Sequence, residues 1–348
     1  MSRVTIQPSG KTVEVTSGDT VLMALEKAGY ALPNNCRAGA CGECKVKVLS
    51  GEYDQGMVLD MALSQQERCD GFGLMCMAKP TTDEMVIEWG TADARPKLFP
   101  PRENALFVVT DKRPVAARAI ELHLRPVGQP IRYWPGQYVT VGDPRGGVPA
   151  RAYSVSNAPR VDGELILHVA RADGGVTSAW IHDQLQVGES IKINGPYGTF
   201  IGDPAVDTPV LCLAAGTGLA PILALTEAAL RRGFRKPVML LLSARTREDA
   251  YAQGLLAWWR TKHRNFDCKI TLTREQADGF LHGRVDAMLP TLLPNLGKHT
   301  VFAAGSPEFT AACVQTAKAL GAGADMIYTE GFFAMQQPTV ADREHLLL

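Results

Sequence analysis

The chain has no net charge. Its 36 Lys and Arg balance 36 Asp and Glu across 348 residues, which removes any electrostatic case for a nucleic acid or an anionic membrane as partner. A long apolar run is also missing. The longest uncharged stretch covers residues 208–226, and Gly216-Thr217-Gly218 and Pro221 interrupt it. A strand, a loop and a helix fit that pattern better than a membrane span. Nothing at the start reads as a secretory signal, because Met1-Ser2-Arg3 leads directly into a strand pattern; a reducing cytoplasm is the expected setting. Internal repeats and low-complexity segments are lacking as well. What is present is a length suited to two or three domains and 46% hydrophobic residues, enough for ordinary packed cores.

Four of the eight cysteines form a pattern. Cys36, Cys41 and Cys44 lie in Cys-Arg-Ala-Gly-Ala-Cys-Gly-Glu-Cys, and Cys76 follows after 31 more residues. This is the plant-type spacing for a [2Fe–2S] cluster held by four thiolates. Gly39 and Gly42 let the backbone curl around the cluster and bring N–H groups toward the sulfurs. Zinc is the less suitable occupant, since structural zinc usually draws on two close pairs and only one C-x-x-C occurs; a disulfide pair is the other alternative. Cys69 stands close to Cys76, but its Gln-Glu-Arg-Cys-Asp-Gly setting reads as an exposed loop. Cys212 and Cys313 read as core residues, and Cys268 is isolated. The neutral total hides an asymmetry: residues 1–93 hold 8 Lys and Arg against 13 Asp and Glu, the rest 28 against 23. An acidic carrier beside a basic remainder suits electron transfer.

Along the chain, Val4 and Ile6 alternate with Val13 and Val15 around Pro8-Ser9-Gly10, a hairpin. Asp19 is placed to cap a helix through Ala28, with Leu22, Leu25 and Ala28 inward and Gly29 ending it. The cysteine loop and a strand over 45–49 complete a small β-grasp pattern for residues 1–93. Residues 94–104 read as a linker, since the stretch 91–104 has three prolines and no periodicity; it looks flexible enough to cut. Residues 105–205 show short alternating strands at 119–124, 138–141, 165–170 and 190–193 with one helix at 178–185, the pattern of a small antiparallel β-barrel. Residues 206–334 alternate strand and helix: strands at 210–214, 238–243, 266–272, 299–304 and 325–333, helices from the Gly216 loop to Arg232 and over 247–262 and 307–320. That rhythm gives an α/β domain with a parallel sheet. The tail, 335–348, has no pattern.

Three further constellations carry chemistry. Strand alternation puts Arg151 and Tyr153 of Arg-Ala-Tyr-Ser on one face, where a guanidinium can neutralise a phosphate and an aromatic ring can lie on a flat heterocycle. His168-Val169-Ala170-Arg171 sits on the next strand, and Gly174-Gly175-Val176-Thr177-Ser178 opens a helix whose N-terminus suits phosphate. Gly216-Thr217-Gly218-Leu219-Ala220-Pro221 links a strand to a helix and can present backbone donors to a dinucleotide, with Pro221 tolerated in the first turn.

With Pro135-Gly136-Gln137-Tyr138 upstream and Gly195-Pro196-Tyr197-Gly198 downstream, residues 105–333 resemble the ferredoxin–NADP reductase superfamily, and residues 1–90 resemble a plant-type ferredoxin whose ligands match Cys36, Cys41, Cys44 and Cys76. The resemblance implies that Arg151 contacts the FAD pyrophosphate, Tyr153 packs on the isoalloxazine and Ser154 lies near its N5. It implies backbone contacts from His168, Val169 and Ala170 to the ring edge, and a pyrophosphate turn at Gly175, Val176, Thr177 and Ser178. A partly buried strand histidine is the plain alternative for His168. Gly216, Thr217, Gly218 and Pro221 correspond to the nicotinamide loop, with Thr217 near the nicotinamide. Gly305 lies in the family's Cys-Gly-x-Pro turn, where Ala304 replaces the cysteine. Glu330 and Phe332 map onto a Glu-x-Phe near the flavin, although Phe332 and Phe333 also suit a core. Arg245 lies where the ribose 2′ position falls. No acidic residue stands there before Glu248, so NADPH is possible; most relatives with this domain order use NADH.

As a whole the sequence resembles the ferredoxin-fused NAD(P)H reductase component of multicomponent oxygenases, of the phenol hydroxylase, benzoate dioxygenase and methane monooxygenase type. That resemblance implies an NADH:acceptor reductase in which electrons pass from NAD(P)H through FAD and the cluster, one at a time, to a terminal oxygenase component or another one-electron acceptor protein. The alternatives are the reductase of a deoxysugar dehydratase system and an iron–sulfur redox sensor.

Overall fold

The computed structural model describes residues 1–203, 205 and 207–332. Phe333 and the 335–348 tail lie outside the described residues.

Strands β1 (Ser2–Gln7) and β2 (Lys11–Val15) pair antiparallel with Val4 opposite Val13. Their alternation sends Val4, Ile6, Val13 and Val15 into one core. Helix α1 (Val21–Lys27) follows. Its cap is Thr20, whose hydroxyl accepts from the Met23 N–H at 3.3 Å, not Asp19, which pairs with Lys27 at 2.8 Å. Ala28, expected inward, is exposed because the helix ends one residue earlier; Glu26 is the buried residue of that last turn. Strands β3 (Lys45–Ser50) and β4 (Tyr53–Asp54), helix α2 (Gln65–Cys69), and strands β5 (Phe72–Leu74), β6 (Lys79–Pro80) and β7 (Glu84–Glu88) complete this unit. The sheet order is β2-β1-β7-β3-β5, with β1 and β7 parallel. One helix packed on such a mixed sheet is the β-grasp arrangement.

The segment expected to be a loose linker is held at both ends. The Lys97 and Leu98 N–H groups donate to the Gly29 carbonyl at 2.8 and 2.9 Å, and Trp134 Nε1 donates to the Lys97 carbonyl at 2.9 Å. Phe99 stacks on Trp134, with the Arg132 guanidinium 4.3 Å above the Phe99 ring. Gly29 is required here twice over: its φ is +83°, and a Cβ would stand 2.9 Å from the Leu98 carbonyl oxygen.

A 15-residue strand, β8 (Arg102–Ala116), begins inside that segment and was not expected. With β9 (Ala119–Pro126), β10 (Tyr138–Asp143), β11 (Val148–Ser154), β12 (Leu165–Ala170), helix α3 (Val176–Asp183) and β13 (Ser190–Tyr197) it forms a six-stranded antiparallel sheet, ordered β11-β10-β13-β8-β9-β12. A bridge between Val155 and Leu167 draws the end of β11 to β12 and closes the barrel. Phe107, Leu122, Val139, Val141, Leu165 and Leu167 fill it.

The last unit alternates β14 (Val210–Ala215), α4 (Leu219–Arg231), β15 (Val238–Ala244), α5 (Gln253–Lys262), β16 (Phe266–Leu272), β17 (Leu281–His282), α6 (Val285–Leu292), β18 (Thr300–Gly305), α7 (Pro307–Ala319) and β19 (Ile327–Gly331). All neighbours are parallel, in the order β17-β16-β15-β14-β18-β19. Cys212 and Ala214 face one core while Leu211 and Leu213 face the other, which is why β14 reads as a continuous apolar run. The helix expected over 247–262 starts only at Gln253, because Ala252 takes a left-handed φ of +58°. The strand order reverses between β14 and β18, the place where open α/β sheets bind ligands.

Candidate functional site

Cys36, Cys41 and Cys44 stand on the loop between α1 and β3, and Cys76 follows β5. The thiols form two pairs, Cys36 with Cys41 and Cys44 with Cys76. The N–H groups of Ala38, Ala40 and Cys41 reach Cys36 Sγ at 3.3–3.4 Å, and the Cys76 N–H reaches Cys44 Sγ at 3.4 Å. The Cys36 thiol is drawn below its ordinary value, first by its Cys41 partner and, against burial, by those N–H groups. Donors placed in this way favour thiolates. Among the described residues no three His, Cys, Asp or Glu side chains converge as a single ion requires. Two pairs of thiols instead fit a two-iron cluster, with two ligands for each iron. The loop is pressed onto residues 57–62: a Cβ on Gly39 would stand 2.9 Å from the Met57 carbonyl oxygen, and one on Gly42 3.2 Å from that of Ala62. Cys69 is exposed on α2.

The expected flavin residues gather on the barrel. Arg151 is half-buried and forms no ion pair among the described residues; its Nη1 donates to the neighbouring Ala150 carbonyl. The Tyr153 ring packs against the barrel core, and burial, opposed by Arg151, pushes its hydroxyl up to about 12. The Thr177 hydroxyl donates to the Pro149 carbonyl and so fastens the start of α3 to β11. Ser178 accepts from the Ala172 N–H at 3.1 Å and donates to the Gly175 carbonyl at 3.2 Å, closing the glycine turn. No side chain caps α3, and Val176 is exposed at its first turn. An unpaired cation, an aromatic face and an uncapped helix N-terminus side by side fit a flavin dinucleotide. The Gly136-Gln137 and Gly198 motifs turn out to be structural partners: Gln137 Nε2 donates to the Gly198 carbonyl at 3.1 Å.

The His168 ring is engaged within the protein. It is buried, with Nδ1 3.1 Å from the Tyr251 hydroxyl and Nε2 3.2 Å from Glu121 Oε2. The Tyr251 hydroxyl also donates to the Gly216 carbonyl at 3.3 Å, which joins the barrel to the nucleotide loop. The Val169 carbonyl accepts from His182 Nε2 at 2.9 Å, and Ala170 is exposed.

Gly216, Thr217 and Gly218 form one tight turn between β14 and α4. Gly216 takes a φ of +54°, while a Cβ on Gly218 would stand 2.1 Å from the Ala304 carbonyl oxygen. The loop is thus pressed onto the end of β18. Pro221 is buried in the first turn of α4, which no side chain caps. Gly305 has no space either, since its Cβ would meet Phe309 at 2.8 Å. Its carbonyl accepts from the Phe332 N–H at 2.8 Å. Arg245 is exposed at the end of β15, within the field of Asp173.

Ser154 and Glu330 meet where the three units converge. Both are buried, and the Ser154 hydroxyl donates to Glu330 Oε2 at 3.1 Å. Burial pushes the Glu330 carboxyl up to about 8; the Ser154 hydrogen bond opposes this and the charge of Glu43 on the cluster loop adds to it. A cleft of about 450 Å³ has Asn35 and Glu43 of the cluster loop on one wall and Thr199, Phe200 and Glu330 on the other. Glu43, Tyr138, Tyr197 and Tyr251 were not singled out from the sequence for this role. Tyr138 and Tyr197 carried a signal as members of the two glycine motifs, and Glu43 as a member of the cysteine motif; Tyr251 carried none.

The fold and site define a redox protein with one iron–sulfur, one flavin and one nicotinamide unit. Residues 4–81 match the 2Fe-2S iron-sulfur cluster binding domain, 108–201 the oxidoreductase FAD-binding domain and 212–315 the oxidoreductase NAD-binding domain. The sequence is 32% identical over 321 residues to the reductase component DmpP of phenol 2-monooxygenase from Pseudomonas sp. (strain CF600), covering 90% of this chain and 89% of that protein. It is 34% identical over 284 residues to the reductase subunit of an aromatic O-demethylase from Amycolatopsis, covering 80% and 83%. The crystal structure of the Amycolatopsis cytochrome P450 reductase GcoB superposes with a TM-score of 0.88 at 30% identity, covering 97% of this chain and all of that one. The chain belongs to the ferredoxin-fused flavoprotein reductases of multicomponent oxygenase systems. It is an NAD(P)H-dependent oxidoreductase with FAD and a [2Fe–2S] cluster.

Proposed function

We propose that this chain delivers electrons singly to the terminal component of an aromatic oxygenase, in the cytoplasm. The observation that carries the reading is the shared cleft: Glu330, which holds the Ser154 hydroxyl of the flavin strand, lies across it from the cluster loop at Asn35 and Glu43. A hydride donor brings two electrons and a [2Fe–2S] cluster takes one, so a flavin between them matches the two counts. In this reading Arg151 and the N-terminus of α3, from Gly175 to Ser178, hold the FAD pyrophosphate and Tyr153 packs on the ring. Ser154 and Glu330 keep a protonated, hydrogen-bonded pair at the flavin edge and exclude water from it. Gly216, Thr217, Gly218 and Gly305 seat the nicotinamide, and Cys36, Cys41, Cys44 and Cys76 ligate the cluster. The units run over 1–93, 105–205 and 206–334. Beside the cluster loop Met57, Leu59 and Met61 are exposed, Met61 by 86%, and they offer apolar ground for an acceptor protein. No helix among the described residues is long and apolar enough to cross a membrane.

The test is reconstitution. The purified holoprotein with NADH should sustain substrate turnover by a phenol hydroxylase or an aromatic P450 demethylase component, with NADH consumed in step with product. A protein whose cluster NADH reduces, but which supports neither acceptor, would overturn the reading.

A further inference from the structure

We propose that Arg37 is the clasp that sets the distance between the cluster and the flavin, through a cation–π contact with Tyr197. Arg37 directly follows the ligand Cys36 and takes a left-handed φ of +54°, a costly conformation for a residue with a side chain. Its Nη1 donates to both carboxylate oxygens of Glu26, at 2.6 and 2.8 Å. The Glu26 side chain is only 3% exposed, and a carboxylate so buried needs a cation. Glu26 therefore pins the edge of the guanidinium from within the iron–sulfur unit. The face of the same guanidinium lies 4.5 Å from the centre of the Tyr197 ring, which belongs to the barrel.

The contact reaches the flavin strand through strand register and through Tyr138, whose side chain Arg37 also meets. Tyr197 on β13 lies opposite Tyr138 on β10, with ring centres 5.9 Å apart. Tyr138 lies opposite Ser154 on β11. Cys36, Arg37, Tyr197, Tyr138 and Ser154 thus form a short rigid series from the cluster loop to the flavin site. Only arginine serves both ends at once, since its planar group forms hydrogen bonds at the edge and stacks on its face, whereas a lysine ammonium is a point charge. The ties of Lys97, Leu98 and Phe99 hold the units elsewhere, so the clasp sets orientation without carrying the whole interface. Arg37 and Tyr197 are positioning residues and touch neither reacting group.

The test uses the full-length holoprotein with Tyr197→Leu, which leaves the Arg37–Glu26 pair intact, and Arg37→Lys, which keeps a cation beside Glu26 and loses the stack. Stopped-flow absorbance after mixing with NADH follows flavin and cluster separately. Loss of a desolvated cation–π contact is expected to lower the docked population and slow cluster reduction by about tenfold in both variants. NADH-dependent ferricyanide reduction, iron content and FAD content should stay at wild-type values. Hydrogen exchange should speed up at residues 36–41 and at 195–198 together. Cluster reduction at the wild-type rate in both variants would overturn the proposal. So would a slowing matched by an equal loss of ferricyanide reduction or of FAD, which would mark Tyr197 as a barrel-packing residue only.

Discussion

Glu330 sits in an environment far from that of an ordinary carboxyl. Its carboxyl sits at about 8 against an ordinary 4.5, chiefly through burial. A folded-state value raised above the unfolded one means that the folded protein binds the extra proton. The associated stability is complete below about 4.5 and is lost as pH rises through 8. Glu330→Gln stays neutral throughout and keeps an acceptor for the Ser154 hydroxyl. The Tm of the variant should match wild type near pH 4, exceed it increasingly from there to about pH 8 and hold that excess above it, as read by thermal melts of the FAD-loaded proteins. A difference that does not change with pH would contradict the assigned environment. The same carboxyl was legible in the sequence as a family position, but its protonation was not. That follows from burial where the units meet and from Glu43 on another unit, against the hydrogen bond from Ser154, 176 residues away in sequence.

The nucleotide turn shows the same division between pattern and contact. Gly-x-Gly after a strand announces a turn, and both glycines look alike in the sequence. In the structure they do different work. Gly216 supplies a positive φ and faces open space, while Gly218 has a backbone carbonyl 2.1 Å from where a Cβ would be. Gly218→Ala must push the loop off Ala304, at a cost of about 1–3 kcal/mol. It should raise the KM for NADH about tenfold or more, with cluster and FAD content retained. Gly216→Ala meets only backbone strain of roughly 1 kcal/mol and should raise KM less. Steady-state ferricyanide assays on both variants decide this; equal effects would mean that the Gly218–Ala304 approach does not position the loop. The helix boundaries illustrate the limit from the other side. The apolar spacing of 247–262 reads as one helix, yet a left-handed Ala252 delays its start to Gln253.

For the whole molecule, the order of units predicts two separable activities. A chain lacking residues 1–93 keeps the barrel and the parallel sheet, and should bind FAD and reduce ferricyanide with NADH within about twofold of wild type. It should fall to background with a one-electron protein acceptor, because the exit site is gone. If the truncated chain reduces the protein acceptor as fast as the full chain, electrons leave from the flavin. The cut is less innocent than a flexible linker would make it. Lys97 and Leu98 lose the Gly29 carbonyl, and Tyr197 loses Arg37, so some loss of Tm is expected alongside the retained activity.

The sequence by itself determined the kind of cluster, the identity and order of the three units and the approximate place of each motif. These depend on short-range rules: thiolate spacing, glycine freedom, and the switch from period two to strand–helix alternation. Only the tertiary structure decided what meets across the units. The His168 side chain came to link Glu121 and Tyr251. Residues 97–99 became a fixed strap, and Arg37 met Tyr197. Such contacts join residues tens to hundreds of positions apart. The residues on either side look ordinary locally, because burial and a distant partner, not neighbouring sequence, give them their charge state and orientation.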